Sequence, residues 1–140
     1  MIWFEIPGKA QGKGRPRFTR SGHTYTPDST RIYEDMVRAM YRQACKEPPT
    51  DEAVKVCIVV WMIPAKSLSK KQRAKELEHP PMKKPDIDNI SKIILDALNG
   101  VAWNDDKQVV SLEIVKLWGH DERVMVGIKK ESDENEQVHD

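Results

Sequence analysis

One apolar run constrains the fold of this chain more than any other feature. Residues 53–63 read AVKVCIVVWMI, in which β-branched and aromatic residues dominate and only Lys55 is charged. Such a run is typical of a central β-strand that is covered on both faces, so we expect it to organise a sheet. With 140 residues, the chain is long enough to build one domain around that sheet.

Three further segments predict the other strands. Residues 2–6 alternate apolar and polar side chains and stop at Pro7-Gly8, and residues 109–118 and 123–129 are separated by a short polar turn. A small hairpin is expected around Ser21-Gly22. The fold class predicted is α/β (α+β), a single domain with a mixed sheet of about four strands and helices packed against it.

Two amphipathic helices are predicted to cover the sheet. The first runs from an N-cap at Thr26 to about Cys45. Its apolar residues at helical spacing are Ile32, Met36, Val37, Met40 and Ala44. The second ends at Asn99-Gly100, and its stripe contains Ile90, Ile93, Ile94, Ala97 and Leu98. Residues 67–78 favour a solvated helix or a mobile lobe.

The two ends of the chain carry separate expectations. The acidic segment 131–140 predicts a disordered tail after a domain of residues 1–130. No apolar run is long enough to span a bilayer, and Met1 leads into Ile2 without the charged start of a signal peptide. We therefore expect a cytoplasmic protein without a membrane partner.

The core is expected to contain Trp3, Trp61 and Trp118, and Trp103 is expected to pack beneath the aspartates described next.

Four aspartates flank the second helix and form the candidate active site. Asp86 and Asp88 precede it, and Asp105 and Asp106 follow it. Clustered carboxylates repel one another unless a cation offsets their charge, and Mg²⁺ or Mn²⁺ prefers oxygen ligands. Lys92 follows Asp88 by four residues, one turn along the same helical face, where a cation can stabilise charge on a phosphate.

The backbone expected here gives the four carboxylates different roles. Pro85 favours extended backbone at Lys84, and we expect Asp86 to lie outside the helix, which begins at Asp88 or Asn89. Asp86 and Asp88 can then bind one cation if Asp88 caps the helix. Neighbours on a strand point to opposite faces, so we expect Asp106 to be the ligand of the second pair. Asp105 is then a second ligand or an outer partner.

Each of these residues also has a simpler interpretation. Asp86 and Asp88 are consistent with helix caps alone, and Asp105-Asp106 with a turn. Lys92 is consistent with a solvated helix residue that pairs with Asp96. Two separate basic regions strengthen the functional interpretation. In the first, the loop KGRPRF combines flexibility, positive charge and an aromatic ring suited to nucleic acid. The simpler alternative is a mobile, soluble segment. The residues expected to bind DNA are Lys9, Lys13, Arg15, Arg17, Arg20, Lys83 and Lys84.

The pattern K-K-P-D-I-D-N-(x)2-K-(x)3-D-A-L-N-G-(x)3-N-D-D-K-Q-V, over residues 83–109, resembles the RusA family of Holliday junction resolvases of bacteria and prophages. The resemblance implies a homodimeric, Mg²⁺-dependent crossover junction endodeoxyribonuclease that makes paired nicks in branched DNA during recombination and repair. It places the acidic metal site on Asp86, Asp88 and Asp106 with Asp105 nearby, and the catalytic lysine on Lys92.

Two alternative functions remain open from the sequence. One is a less selective metal-dependent nuclease that cuts flaps or forks. The other is a non-catalytic protein that binds branched DNA, in which the carboxylates serve only as caps and turns.

Overall fold

A four-stranded mixed sheet forms the centre of the computed structural model, which describes residues 1–137, with side chains to residue 134. The strand order is β1-β6-β4-β5; β4 and β5 are parallel and the other pairs are antiparallel. A separate two-stranded hairpin lies between β1 and the first helix. The strands are β1 (Ile2–Pro7), β2 (Arg17–Phe18), β3 (Thr24–Tyr25), β4 (Val54–Met62), β5 (Val109–Trp118) and β6 (Arg123–Lys130). The predicted fold class is confirmed.

In the described part of the chain, four α-helices accompany the sheet: α1 (Asp28–Ala44), α2 (Lys70–Glu76), α3 (Ile87–Leu98) and α4 (Glu131–Gln137). The two long helices, α1 and α3, contact each other and pack on the sheet. All five residues of the predicted α3 stripe are buried, as expected. The short α2 buries none of its residues, which agrees with the predicted solvated helix. Within residues 1–137, no helix is long and apolar enough to cross a bilayer.

The crossover between β4 and β5 determines where the aspartates lie. Parallel neighbours need a connection that returns to the starting end of the sheet, and α3 is that return. Before α3, the Lys83 ammonium donates to the carbonyl oxygen of Ile63, just after β4, at 2.9 Å. After α3, Trp103 forms a bridge with Thr50, just before β4. The twelve residues of α3 therefore separate the segment before the helix from the segment after it by about 18 Å.

Only one face of β4 is fully covered, which corrects the expectation of a strand buried on both faces. Its burial alternates along the strand, because α1 and α3 pack on the same side of the sheet. Trp3 lies on the other side and is 45% exposed, so its predicted place in the core is wrong. Trp61 and Trp118 are half-buried.

The buried face of α1 also differs from the predicted one. Ile32 is 68% exposed, whereas Tyr33 and Tyr41 are almost completely buried together with Val37. Each residue turns the helix by about 100°, so a shift of one position moves the apolar face by more than a quarter of a turn. The predicted face left out the two tyrosines, whose aromatic rings form much of the buried surface of α1.

The helix α4 corrects the predicted disordered tail for the part of the chain that is described. The amide of Glu131 donates to the carbonyl oxygen of Ala53 at 3.0 Å, and the amide of Ser132 donates to Glu52 at 2.8 Å. Asp133 lies 3.4 Å from the amino terminus of Met1. These partners, which precede β1 and β4, hold the start of the acidic segment. Residues 138–140 lie outside the described residues.

Candidate metal and DNA site

Asp86 begins the site as the N-cap of α3. Its backbone is extended, with φ −70° and ψ 151°, as expected, but the N-cap is Asp86 itself and not the predicted Asp88, because the helix begins at Ile87. Its carboxylate makes no capping hydrogen bond, so capping does not use this side chain. Asp88 lies in the first helical turn, and both carboxylates are exposed. The two side chains are therefore accessible to a ligand.

Lys92 lies one turn beyond Asp88 and is exposed. The simpler interpretation paired it with Asp96, but the Asp96 carboxylate lies 3.1 Å from the ammonium of Lys13 instead. No ion pair of Lys92 occurs among the described side chains. Its charge is therefore available on the solvent side of α3.

Asp105 has a structural role in a 3₁₀ turn over Asp106–Gln108. Its carboxylate accepts the amide of Lys107 at 2.9 Å, and the side chain of Gln108 accepts the amide of Asp105 at 2.9 Å. This reciprocal pattern is a capping box, which the D-x-x-Q spacing could have revealed. The Gln108 amide also donates to the carbonyl oxygens of Thr50 and Glu52, each at 2.8 Å. The structure therefore makes Asp105 the N-cap of this turn.

Asp106 is held differently from its neighbour. The indole nitrogen of Trp103 donates to one carboxylate oxygen of Asp106 at 2.8 Å. Trp103 has no exposed surface, so its donor is fixed by the core. Trp103 therefore packs beneath Asp106, which confirms the expectation for this one aspartate. The hydrogen bond orients Asp106 and leaves its second oxygen for another partner.

The two aspartate pairs do not meet within this chain. Among residues 1–134, no three His, Cys, Asp or Glu side chains lie close enough to form a metal-binding group. The cause is the direction of α3, because Asp86 and Asp88 lie at its start and Asp106 lies beyond its end. The donor chemistry still fits a hard divalent cation, since exposed carboxylate oxygens are what Mg²⁺ prefers. The candidate metal ligands of one chain therefore lie in two separate places, with Asp86 and Asp88 at the start of α3 and Asp106 beyond its end.

The basic loop lies beside the first half of the site. An open pocket of about 420 Å³ is lined on one side by Lys9 and Gln11 and on the other by Lys84, Asp86 and Asn89. Two lysines and one aspartate therefore share a concave surface. This arrangement can place a phosphate near the first carboxylates.

Lys13 does not lie with the other basic side chains, contrary to the predicted DNA-binding role. Its ammonium lies 2.9 Å from Glu34 and 3.1 Å from Asp96, and its amide donates to the carbonyl oxygen of Asn89 at 3.0 Å. Burial lowers the pKa of Lys13, but the hydrogen bonds with Glu34 and Asp96 outweigh burial and leave that pKa above 10.5. Lys13 joins the loop to α1 and α3.

The ammonium of Lys83 is also engaged, through the hydrogen bond with Ile63 described above. The remaining basic side chains of the loop and hairpin, at Arg15, Arg17 and Arg20, are exposed. They form no ion pair among the described side chains. Phe18, in the hairpin, is 72% exposed. The hairpin thus presents free guanidinium groups and an open aromatic ring.

Two comparisons with known proteins identify the family of this chain. The family model described as "Endodeoxyribonuclease RusA" matches residues 7–129. A protein of Bacillus subtilis (strain 168) described as "Uncharacterized protein YqaN" is 32% identical over 138 residues, which cover 94% of this chain and 97% of that relative. The span matched by the family model contains both aspartate pairs, Lys92 and the basic loop. The chain therefore belongs to the RusA endodeoxyribonuclease family.

Proposed function

We propose that this protein is a divalent-metal-dependent endodeoxyribonuclease that resolves four-way DNA junctions by paired nicks during recombination and repair. It acts as a homodimer in the cytoplasm. The observation that supports this proposal best is the start of α3, where Asp86 is an N-cap without a capping hydrogen bond and Asp88 follows it beside a basic pocket. Family membership supplies the reaction class.

Three carboxylates would hold the metal, at Asp86, Asp88 and Asp106. Mg²⁺, or Mn²⁺ as a substitute, would activate water and stabilise the leaving oxygen when bound. Asp105 supports the site by capping the turn that carries Asp106. Lys92 places a positive charge one turn above Asp88, where it stabilises the negative charge that develops on the attacked phosphate.

The loop and hairpin would hold the arms of the junction. Arg15, Arg17 and Arg20 supply charge for phosphate oxygens, and Lys9 and Lys84 do so at the pocket. Phe18 offers a ring face on which an unpaired base can stack. Because a four-way junction has strands related by a twofold axis, a twofold dimer would place one site near each strand to be cut.

Junction selectivity is tested by a fixed panel of substrates at one salt concentration. We expect Mg²⁺-dependent cleavage of a four-way junction at least about tenfold faster than cleavage of a fork, a flap or a linear duplex, with symmetric nicks in opposed strands. Gel analysis of strands labelled one at a time measures both quantities. Equal rates on all substrates favour the less selective nuclease, and junction binding without Mg²⁺-dependent cleavage favours the binding protein.

Replacing Trp103 with Phe tests the orientation of Asp106. The substitution keeps an aromatic ring in the core but removes the donor to Asp106, so we expect cleavage to fall by about 10- to 100-fold and the Mg²⁺ requirement to rise. Trp118→Phe is a matched control, because it removes an indole hydrogen bond to the carbonyl oxygen of His79. Equal activity of the two variants over a Mg²⁺ titration would show that Trp103 has no role in the site.

A further inference from the structure

A pocket of about 600 Å³ lies at the end of the sheet where β4 stops and β6 begins. Its volume falls within the range of about 300–1,000 Å³ that is usual for small-ligand sites. Trp61, near the end of β4, pairs with Arg123, the first residue of β6, and both side chains lie on the side of the sheet away from the long helices. The segment after β4 contributes Arg73 and Leu77 to the walls. We call this cavity the Trp61 pocket.

Two neighbours fix the position of the Trp61 ring. The guanidinium carbon of Arg123 lies 5.5 Å from the centroid of this ring, within the distance of a cation–π contact. Gly119, in the turn after β5, approaches the same ring so closely that a Cβ at this position would lie 3.1 Å from it. The amide of Gly119 donates to the carbonyl oxygen of Met62 at 2.8 Å and holds the turn there. The pocket therefore presents an aromatic ring in a defined place.

The free positive charge of the pocket comes from Arg73. Arg123 is already paired, since its guanidinium lies 3.0 Å from Glu5 and 3.4 Å from Asp121. Arg73 lies in the last turn of α2, is exposed and forms no ion pair within residues 1–134. It belongs to the second basic region, in which residues 64–84 contain seven basic and two acidic side chains. The function proposed above leaves most of that region unused.

The Trp61 pocket and the first aspartates lie at the same end of the sheet. Ile63, two residues after Trp61, accepts the ammonium of Lys83 at 2.9 Å. The carbonyl oxygen of Lys83 accepts the ammonium of Lys116, on β5, at 2.7 Å. Asp86 follows Lys83 by three residues, which span at most about 11 Å. A DNA strand that passes over this end of the sheet can therefore contact the pocket and reach the metal ligands.

We propose that the Trp61 pocket binds an unpaired nucleotide of the branched DNA, with the base against the Trp61 ring and the phosphate against Arg73. This inference rests on the proposed function for the identity of the substrate. Unpaired bases stack on aromatic rings and on guanidinium planes, and every base has a face for such a contact. The bases of branched DNA that are held least by stacking lie at the branch point. The pocket would thus position the branch point relative to Asp86.

The charge around the pocket favours a nucleotide over a protein segment. An acidic peptide with an apolar side chain would also suit an aromatic pocket with a free guanidinium. The positive charge, however, continues from Arg73 to Lys84, which lines the separate pocket beside Asp86. Successive phosphates of one strand need such a series of cations, whereas a short peptide needs only the first.

Binding of two single strands in EDTA tests the pocket. An oligothymidylate and an abasic strand of equal length carry the same phosphates, but only the first carries bases. We expect wild type to bind the oligothymidylate at least about tenfold more tightly, and Trp61→Leu to reduce that ratio at least about fivefold. Trp61→Phe should retain most of the ratio because it keeps a ring. Fluorescence anisotropy of labelled strands measures both affinities at one salt concentration.

Trp3→Leu is the matched control for Trp61→Leu. Trp3 lies on the same side of the sheet and is 45% exposed, but it is on β1 and does not line the pocket. Its variant should keep the wild-type ratio, with circular dichroism confirming the fold of every variant. Phe18, which can also stack a base, is present in all of them and cannot cause a difference. Equal ratios for Trp61→Leu and Trp3→Leu, or a wild type that binds both strands alike, would overturn the pocket.

Arg73→Met tests the phosphate contact. We expect this variant to lower the slope of log affinity against log salt by about 0.7 for both strands, the value for one phosphate of a single strand. Arg42→Met is the control, because Arg42 is also exposed in the last turn of a helix, and its slope should equal that of wild type. An unchanged slope for Arg73→Met would overturn the phosphate contact.

Cleavage of a four-way junction in Mg²⁺ separates this inference from the proposed function. A wild type that cleaves the junction but binds both single strands alike keeps the nuclease and overturns the pocket. A wild type with the expected ratios but without Mg²⁺-dependent cleavage supports the pocket and rejects the nuclease. A synthetic peptide of alternating aspartate and phenylalanine tests the other occupant. If it binds wild type more tightly than oligothymidylate does and Trp61→Leu abolishes its binding, the pocket is a peptide site and the inference is overturned.

Discussion

Asp88→Asn is expected to abolish cleavage while preserving junction binding. The substitution removes one metal ligand and one negative charge at the start of α3, and loss of the metal should reduce the rate by roughly 10³-fold or more. Binding should be unchanged or several-fold tighter, since like charges near contact repel by about 1 kcal/mol in water. Cleavage in Mg²⁺ and mobility-shift binding in Ca²⁺ or EDTA measure the two effects separately.

Asp28→Asn is the matched control for this substitution. Asp28 and Asp88 both lie in the first turn of a helix, so each loses a similar favourable interaction with the helix dipole, about 0.3–1 kcal/mol. The exposed ion pair of Asp28 with Arg31 adds little to that difference. Asp28→Asn should cleave like wild type. If Asp88→Asn retains more than a tenth of the wild-type rate, Asp88 is a structural residue and the proposed metal site is wrong.

The parts of the fold with strong local periodicity could be predicted from the sequence. The α3 stripe has apolar residues at every i, i+3 and i+4 position, and no other helical face competes with it. The strands that became β5 and β6 are bounded by polar turns, and their predicted limits agree with the structure within one residue. The extended backbone of Asp86 was also predicted, although α3 begins at Ile87 and therefore before the predicted Asp88 or Asn89.

Other features depend on contacts that no local pattern contains. In β4 both faces are apolar, so the sequence cannot indicate that both long helices pack on one side. The partners of Lys13 lie 21 and 83 residues away, at Glu34 and Asp96, so its charge looked available for DNA. The separation of Asp86 from Asp106 follows from the parallel pairing of β4 and β5, which strand propensity does not specify.

Lys13→Met is expected to destabilise the protein rather than to weaken its attraction for phosphates. The substitution leaves Glu34, which is 9% exposed, without its cation. Removing one partner of a buried ion pair lowers the free energy of unfolding by about 3–5 kcal/mol. We expect a smaller loss of about 2–3 kcal/mol here, because the Asp96 side chain is 32% exposed to solvent. Urea unfolding measures the loss, and Lys9→Met, in the same loop, should cost less than about 0.5 kcal/mol.

The Lys13 ion pairs also predict a dependence of stability on pH. Because the folded pKa of Lys13 is raised, its contribution is complete below the unfolded value of 10.5 and is lost as pH rises through the folded value. Burial raises the pKa of Tyr33 and Tyr41 as well, so both phenols add to the loss of stability above pH 10. The difference in unfolding free energy between wild type and Lys13→Met should therefore shrink only above about pH 10.5.

Salt dependence of junction binding distinguishes this structural role from a DNA contact. A side chain that binds phosphate contributes close to one unit to the slope of log affinity against log salt, so Arg15→Met should lower that slope by about one. Lys13→Met should leave the slope unchanged at a temperature where the variant is folded, because its ammonium is already neutralised by two carboxylates. A reduced slope for Lys13→Met together with wild-type stability would show that Lys13 binds DNA, as the sequence predicted.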